Sequence, residues 1–158
     1  MRQSVERIII IDDEKRMCES LATLLTSEGY QVDAYQSSLA AAEAVRNRKV
    51  DVVITDIKMP DMDGIEILRI IKKVDEDIPV ILMTGFASLN SALVAIQQGA
   101  YDYLLKPVEF TQLSLAVKRA MEKRRSQIER NRLMEELKLS NMLQQRRINE
   151  LDALYEAG

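Results

Sequence analysis

Four strand-like runs, three of them solidly apolar, constrain this chain more than any other feature. Ile8-Ile9-Ile10-Ile11 stops at Asp12-Asp13, and Val52-Val53-Ile54-Thr55 stops at Asp56. Pro79-Val80-Ile81-Leu82-Met83 stops at Thr84, and Tyr101-Asp102-Tyr103-Leu104-Leu105 runs into Lys106. Unbroken apolar runs of this length suit strands covered on both faces, as in parallel sheets, better than one-sided strands. Tyr30 to Tyr35 alternates in part and reads as another strand. Between the strands the spacing turns helical. Met17, Leu21, Leu24 and Leu25 mark a helix from Lys15 to Glu28 that Gly29 ends. Ser37/Ser38 cap an alanine-rich helix from Leu39 to Arg46. Ile65, Ile67, Leu68 and Ile71 mark a helix from about Gly64 to Lys73, a fourth lies near Ser88 to Gln98 before Gly99, and helix resumes near Glu109. The expected class is α/β: short connections force the five strands parallel, with helices on both faces.

In doubly wound sheets of this kind, ligands sit at the carboxyl ends of the strands, near a topological switch point. Asp12, Asp13, Asp56, Thr84 and Lys106 all follow strand ends, so all five are expected on one edge. One aspartate after a strand reads equally well as a cap or turn residue. The recurrence over four strands is what points to a site.

The chain has 158 residues, room for one ordinary domain and an extension, and a net charge of −3 from 22 basic and 25 acidic residues. That balance argues neither for nucleic acid nor for strong steering of an anion. There is no histidine, which excludes a histidine phosphocarrier, a Ser-His-Asp hydrolase and a histidine-ligated zinc site. Cys18, the single cysteine, allows no internal disulfide and reads as a small semi-buried apolar residue in a reducing compartment. The apolar run near the N-terminus is too short for a signal peptide, and no window approaches the ~18 apolar residues of a membrane helix, so a soluble, cytoplasmic protein is expected. Chemistry is left to carboxylates, hydroxyls and lysines. Three carboxylates in one crevice need a cation, and their hard oxygens suit Mg²⁺. Asp12 and Asp13 would hold it. Asp56 would act as ligand and as nucleophile toward a phosphoryl group, with Lys106 and Thr84 meeting its oxygens.

With these pieces assembled, residues 5 to about 122 resemble the receiver domain of two-component response regulators. The likeness rests on Asp12-Asp13, on Asp56 within Asp-Ile-Lys-Met-Pro-Asp-Met-Asp-Gly, on Thr84-Gly, and on Gly99-Ala-Tyr-Asp-Tyr-Leu-Leu-Lys-Pro107. The resemblance implies a flavodoxin-like fold of strand order 2-1-3-4-5 and phosphorylation at Asp56 by a sensor histidine kinase. It implies Mg²⁺ held by Asp13, Asp56 and the Lys58 backbone carbonyl, with Asp12 in the outer shell or partly ligating. It implies a cis Lys106–Pro107 peptide, and it makes Thr84 and Tyr103 the switch pair, Tyr103 swinging inward as Thr84 moves toward the phosphoryl group. Strand alternation would put Tyr101 and Tyr103 on one face, where packing alone is the plainer reading of both. Lys58 and Phe86, two residues past Asp56 and Thr84, would overhang the site and tune loss of the phosphoryl group.

After Glu109 no proline or glycine occurs until Gly158. Leu113, Val117, Ala120 and Met121 form a stripe suited to the sheet. Beyond them a heptad frame fits Met134, Asn141, Ile148 and Tyr155 at a, with Leu137, Gln144 and Leu151 at d. It is out of register with Met121 and Ile128, which implies a stutter near residues 129 to 133. The expected organisation is a receiver domain over 1–122 and a helical linker over 123–158. The linker reads as a coiled coil making a homodimer, against a solvated single helix or a frayed tail. Its basic residues are spread around the helix, so DNA contact within this chain is not expected.

The expected function is a phosphorylation-activated switch, not an enzyme with a substrate of its own beyond its own phosphorylation and dephosphorylation. Such receivers resemble the front end of multi-domain regulators, particularly transcription activators with a central ATPase. The chain is then a fragment of such a regulator or a receiver whose output is dimerisation itself. Two alternatives stand beside this reading. One is a Mg²⁺-dependent phosphatase with an aspartyl nucleophile, against which Lys58 counts, because such enzymes usually place an acid/base aspartate there. The other is an interaction scaffold that is never phosphorylated.

Overall fold

The structure, a computed structural model, describes residues 5–85 and 89–156. Strand and helix alternate as β1 (Arg7–Ile11), α1 (Lys15–Ser27), β2 (Gln31–Tyr35), α2 (Ser38–Asn47), β3 (Val52–Asp56), α3 (Gly64–Val74), β4 (Val80–Thr84), α4 (Leu89–Gln97), β5 (Asp102–Leu105) and α5 (Phe110–Glu156). The expected start of the fourth helix at Ser88 lies outside the described residues. The strands form one sheet, parallel as the short connections require, and its order β2-β1-β3-β4-β5 is the one the receiver-domain resemblance implies. The order reverses between β1 and β3, which opens a crevice at their carboxyl ends.

The solid apolar runs are explained by two separate cores. Ile8, Ile10, Val52, Ile54, Ile81 and Met83 point to one face, under Leu21 and Leu25 of α1 and Leu113, Val117 and Met121 of α5. Ile9, Ile11, Val53, Val80 and Leu82 point to the other, under Ala41 and Val45 of α2, Ile67, Leu68 and Ile71 of α3 and Ala95 of α4. Every second residue serves each core, so no strand position in β1 after Arg7 is left for a polar side chain. Each such aliphatic side chain contributes about 1.5–3 kcal/mol relative to exposure.

The helix ends follow local chemistry. Gly29 and Gly99 both adopt φ 98°, the left-handed geometry that ends α1 and α4. Asp63 caps α3 by accepting from the Ile65 and Glu66 N–H groups at 2.9 Å each. The Lys106–Pro107 peptide is cis, as expected.

One expectation is corrected. Tyr101 and Tyr103 do not share a face: Tyr101 packs with the α1/α5 core and Tyr103 with the α2/α3/α4 core. Strand β5 begins only at Asp102, so Tyr101 sits in a bend where the two-residue alternation does not apply. Its ring lies 5.2 Å beneath the Lys123 ammonium, within range of a cation–π contact.

The chain divides into two compact units between Arg124 and Arg125. In the second unit α5 stays helical through residues 129–133, where the apolar register changes. Met134, Leu137, Asn141, Ile148, Leu151 and Tyr155 are exposed in the single chain. Arg132 forms ion pairs with Glu129 and Glu136 one helical turn to either side. Among the described residues no helix is long and apolar enough to cross a membrane.

At the amino edge of the sheet, Arg124 is buried, with Nη2 2.9 Å from Asp75 Oδ2 and Nε 3.7 Å from Asp51 Oδ1. Asp51 is buried as well, and its Oδ2 accepts the Arg7 N–H at 2.9 Å. Removing one member leaves an uncompensated buried charge, so Arg124→Ala is expected to lower the unfolding free energy by about 3 kcal/mol. Urea denaturation checks this; an unchanged midpoint would show that the cluster contributes nothing.

Candidate functional site

The site forms because the carboxyl ends of β1 and β3 are neighbours and β5 lies just beyond β4. Asp12 follows β1 and is fully buried, while Asp56 ends β3 at 7% exposure. Lys106 follows β5, and its ammonium bridges them, donating to Asp12 Oδ2 at 2.8 Å and to Asp56 Oδ2 at 2.9 Å. Asp12 Oδ1 accepts the Glu14 N–H at 2.9 Å, and Asp56 Oδ1 accepts the Lys58 N–H at 3.3 Å. Each buried carboxylate therefore has one backbone and one cationic partner, which offsets the cost of burying its charge.

Asp13 is exposed beside the pair, and oxygens of Asp12, Asp13 and Asp56 lie within 4.8 Å of one another. A set of hard carboxylate oxygens this close, with one member open to water, fits a Mg²⁺ ion that keeps part of its hydration.

Burial pulls the Lys106 pKa down, but hydrogen bonds and charge from Asp12 and Asp56 outweigh it, and the net shift is up from 10.5. Burial pushes the thiol of Cys18 up, helped by the Asp12 charge. Cys18 is more deeply placed than the semi-buried reading has it, and its Sγ donates to the Asp12 carbonyl at 3.2 Å.

Thr84 ends β4 and is buried, and its carbonyl accepts the Lys106 N–H at 2.7 Å. Tyr103 is half-buried on β5, two strands from Asp56, and its hydroxyl shares a 3.1 Å hydrogen bond with Ser91 Oγ on α4. Phe86 lies outside the described residues. Lys58 has an exposed side chain and its N–H against Asp56.

Two contributors escape the sequence reading. Gly64 opens α3 directly behind the site, and its N–H donates to the Ile57 carbonyl at 2.7 Å. A Cβ at Gly64 would lie 2.7 Å from the Asp56 carbonyl oxygen and 2.8 Å from Ile57 Cα. Asp61, quoted only as part of a turn, accepts from Ser37 Oγ at 2.9 Å and from the Leu39 N–H at 3.1 Å, both at the start of α2. The signal available was the Ser37-Ser38 pair, since one helix start needs a single capping hydroxyl.

Fold and site together define a doubly wound sheet with a cation-competent acidic pocket, bridged by one lysine, at its switch point. The family model of the response regulator receiver domain matches residues 8–118, and the chain belongs to that family. It is 41% identical over 114 residues to the transcriptional regulatory protein ZraR of Klebsiella oxytoca, covering 72% of this chain and 26% of that protein. The chain thus spans about a quarter of the length of the curated relatives it matches. A CheY-like receiver domain protein from Methanospirillum hungatei JF-1 matches with TM-score 0.75 and 30% identity, over 78% of this chain and 99% of that one. The beryllofluoride-activated NtrC4 receiver domain dimer matches with TM-score 0.72 and 34% identity, over 75% of this chain and 98% of that one.

Two outcomes are expected. Gly64→Ala must displace backbone at Asp56 or Ile57, with a cost on the order of 1–3 kcal/mol seen as a lower urea midpoint. For Lys106 the folded pKa is raised. Its stabilisation is therefore fully present below the unfolded value of about 10.5 and is lost as pH rises through the folded one. In metal-free buffer, the stability difference between the parent and Lys106→Met should stay level up to pH 10 and shrink above about pH 10.5. A difference that begins to shrink near neutral pH would contradict the assignment.

Proposed function

We propose that this chain is a phosphorylation-activated switch in which Asp56 accepts a phosphoryl group from the phosphohistidine of a sensor kinase. The observation that carries the reading is the Lys106 ammonium, 2.8 and 2.9 Å from Asp12 and Asp56, which fixes a positive charge beside the attacking carboxylate. An Asp56 oxygen forms the new O–P bond as the N–P bond breaks, and the imidazole leaves with the bonding pair. The three equatorial oxygens gather charge in this transfer, and positioning plus neutralisation does most of the work. Lys106 meets one of them and the Thr84 hydroxyl donates to another. Asp13, Asp56 and the Lys58 carbonyl would hold Mg²⁺, with Asp12 in the outer shell or partly ligating, and the ion would supply further positive charge. In this reading the chain's chemistry is its own phosphorylation and dephosphorylation.

The switch is a population shift between two arrangements of Thr84, Tyr103 and α4. The Tyr103–Ser91 hydrogen bond ties the aromatic to α4, so a new Tyr103 position changes the surface that α4 offers. Output passes to the second half of α5, where Met134, Leu137, Asn141, Ile148, Leu151 and Tyr155 form the face of a parallel homodimer. The likeness to the NtrC4 receiver dimer supports assembly, and the likeness to ZraR supports transcription as the process governed.

Acetyl phosphate with Mg²⁺ should phosphorylate the parent and leave Asp56→Asn unmodified. Light scattering with Mg²⁺ and beryllofluoride should show a mass change that Asp56→Asn lacks. An unmodified parent, or label retained in the variant, would overturn the phosphoacceptor assignment; an unchanged mass would remove dimerisation from the output.

A further inference from the structure

The loop from Ile57 to Asp63 leaves β3 at the proposed phosphoacceptor and returns at Gly64. Both ends are fixed. The Ile57 N–H donates to the Met83 carbonyl at 2.9 Å, and the Gly64 N–H closes on the Ile57 carbonyl at 2.7 Å. Inside it, the Lys58 N–H reaches Asp56 Oδ1 at 3.3 Å and the Met59 side chain is buried. The far side of the loop is gripped by a different element. Asp61 Oδ2 accepts from Ser37 Oγ at 2.9 Å and from the Leu39 N–H at 3.1 Å, while Ser38 Oγ donates to the Met62 carbonyl at 2.9 Å. Ser38 is fully buried, and Asp61 Oδ1 also accepts the Met62 N–H at 3.1 Å.

This grip has a physical cause in α2. A helix start leaves orphan N–H groups and carries partial positive charge. The first turn of α2 holds no acidic residue, and the side chain of its cap Ser37 accepts the Ala40 N–H at a long 3.3 Å. Asp61 supplies from across the loop the negative charge and the acceptor that α2 lacks. The Leu39 N–H above all, with the Ser37 hydroxyl, holds the Asp61 carboxyl down at about 2, so the contact is anionic throughout the physiological range.

We propose that Asp61 is a positioning residue for the acidic pocket: it clamps the middle of the Ile57–Asp63 loop to the first turn of α2 and so holds Lys58, whose N–H faces Asp56, in place beside the pocket. The inference rests on the switch reading above, because this placement matters only if the carbonyl of the following peptide, Lys58–Met59, completes a cation site. A loop gripped at both ends and in the middle keeps that peptide in place before the ion arrives. Outer residues that orient ligands typically change metal affinity 10–100-fold.

The test uses Asp61→Asn and Ser38→Ala in the full chain, with Mg²⁺ as the probe. Calorimetric titration should show the Mg²⁺ Kd rising roughly tenfold in Asp61→Asn, with a smaller rise in Ser38→Ala. The Lys58 amide resonance should move in both. Acetyl phosphate labelling should slow at limiting Mg²⁺ and return to the parental rate at saturation, since the chemical residues are untouched. An unchanged Kd and an unmoved Lys58 amide, with only a lower Tm, would make Asp61 a cap for α2 and overturn the inference. If Asp61→Asn does not fold, Ser38→Ala decides alone, because it cuts the second tie of the same loop. A parent that takes up no Mg²⁺ would instead overturn the switch reading on which the inference rests.

Discussion

The Lys106 ammonium between Asp12 and Asp56 is the contact on which the rest of the carboxyl edge depends. Two buried carboxylates on adjacent strands repel, and at low local dielectric that repulsion is severe. The cation that offsets it in this structure comes from the end of β5, which is separated from β3 by the whole width of β4. Only a long side chain spans that gap, and Lys106 does so while its backbone N–H stays bonded to Thr84. The ion triad therefore ties β1, β3 and β5 together above β4. The strand order has an electrostatic reason as well as an apolar one.

Backbone supplies the other half of the site. Glu14 and Lys58 donate their N–H groups to the two carboxylates, so the turns after β1 and β3 are shaped by what those aspartates accept. Gly64 brings the start of α3 against the Asp56 carbonyl, closer than any side chain allows. Asp63 then caps α3, and Asp61 reaches α2. Within a few residues of Asp56 the chain makes contact with β4, α3 and α2.

Much of this was legible in the residues. The apolar runs name the strands, because a doubly covered strand has no solvent face to write polar residues on. The abrupt Asp, Asp, Thr and Lys endings place the edge. The failures have physical causes. Tyr101 was assigned to a strand that starts one residue later, and alternation holds only inside a ladder. Cys18 was underestimated because helical spacing alone does not show that its turn lies beneath Asp12. Asp61 and Arg124 were missed for a stronger reason: each acts on a partner more than twenty residues away in sequence, with no local pattern to announce it. The second half of α5 is legible as helix, whereas its exposed apolar face names no partner by itself.

The two cores separated by the sheet have a consequence for how this chain can vary. Ile8 and Ile9 are covalent neighbours, yet they pack into different interiors with a layer of backbone between them. Size changes at Ile8 must be absorbed by α1 and α5, and those at Ile9 by α2, α3 and α4. The domain is thus two weakly correlated packing problems threaded on one ribbon. A lineage can rebuild the surface around α4 and its underlying core while the α1/α5 interior stays frozen. Compensating substitutions along each strand should accordingly fall into two interleaved sets, alternating residue by residue.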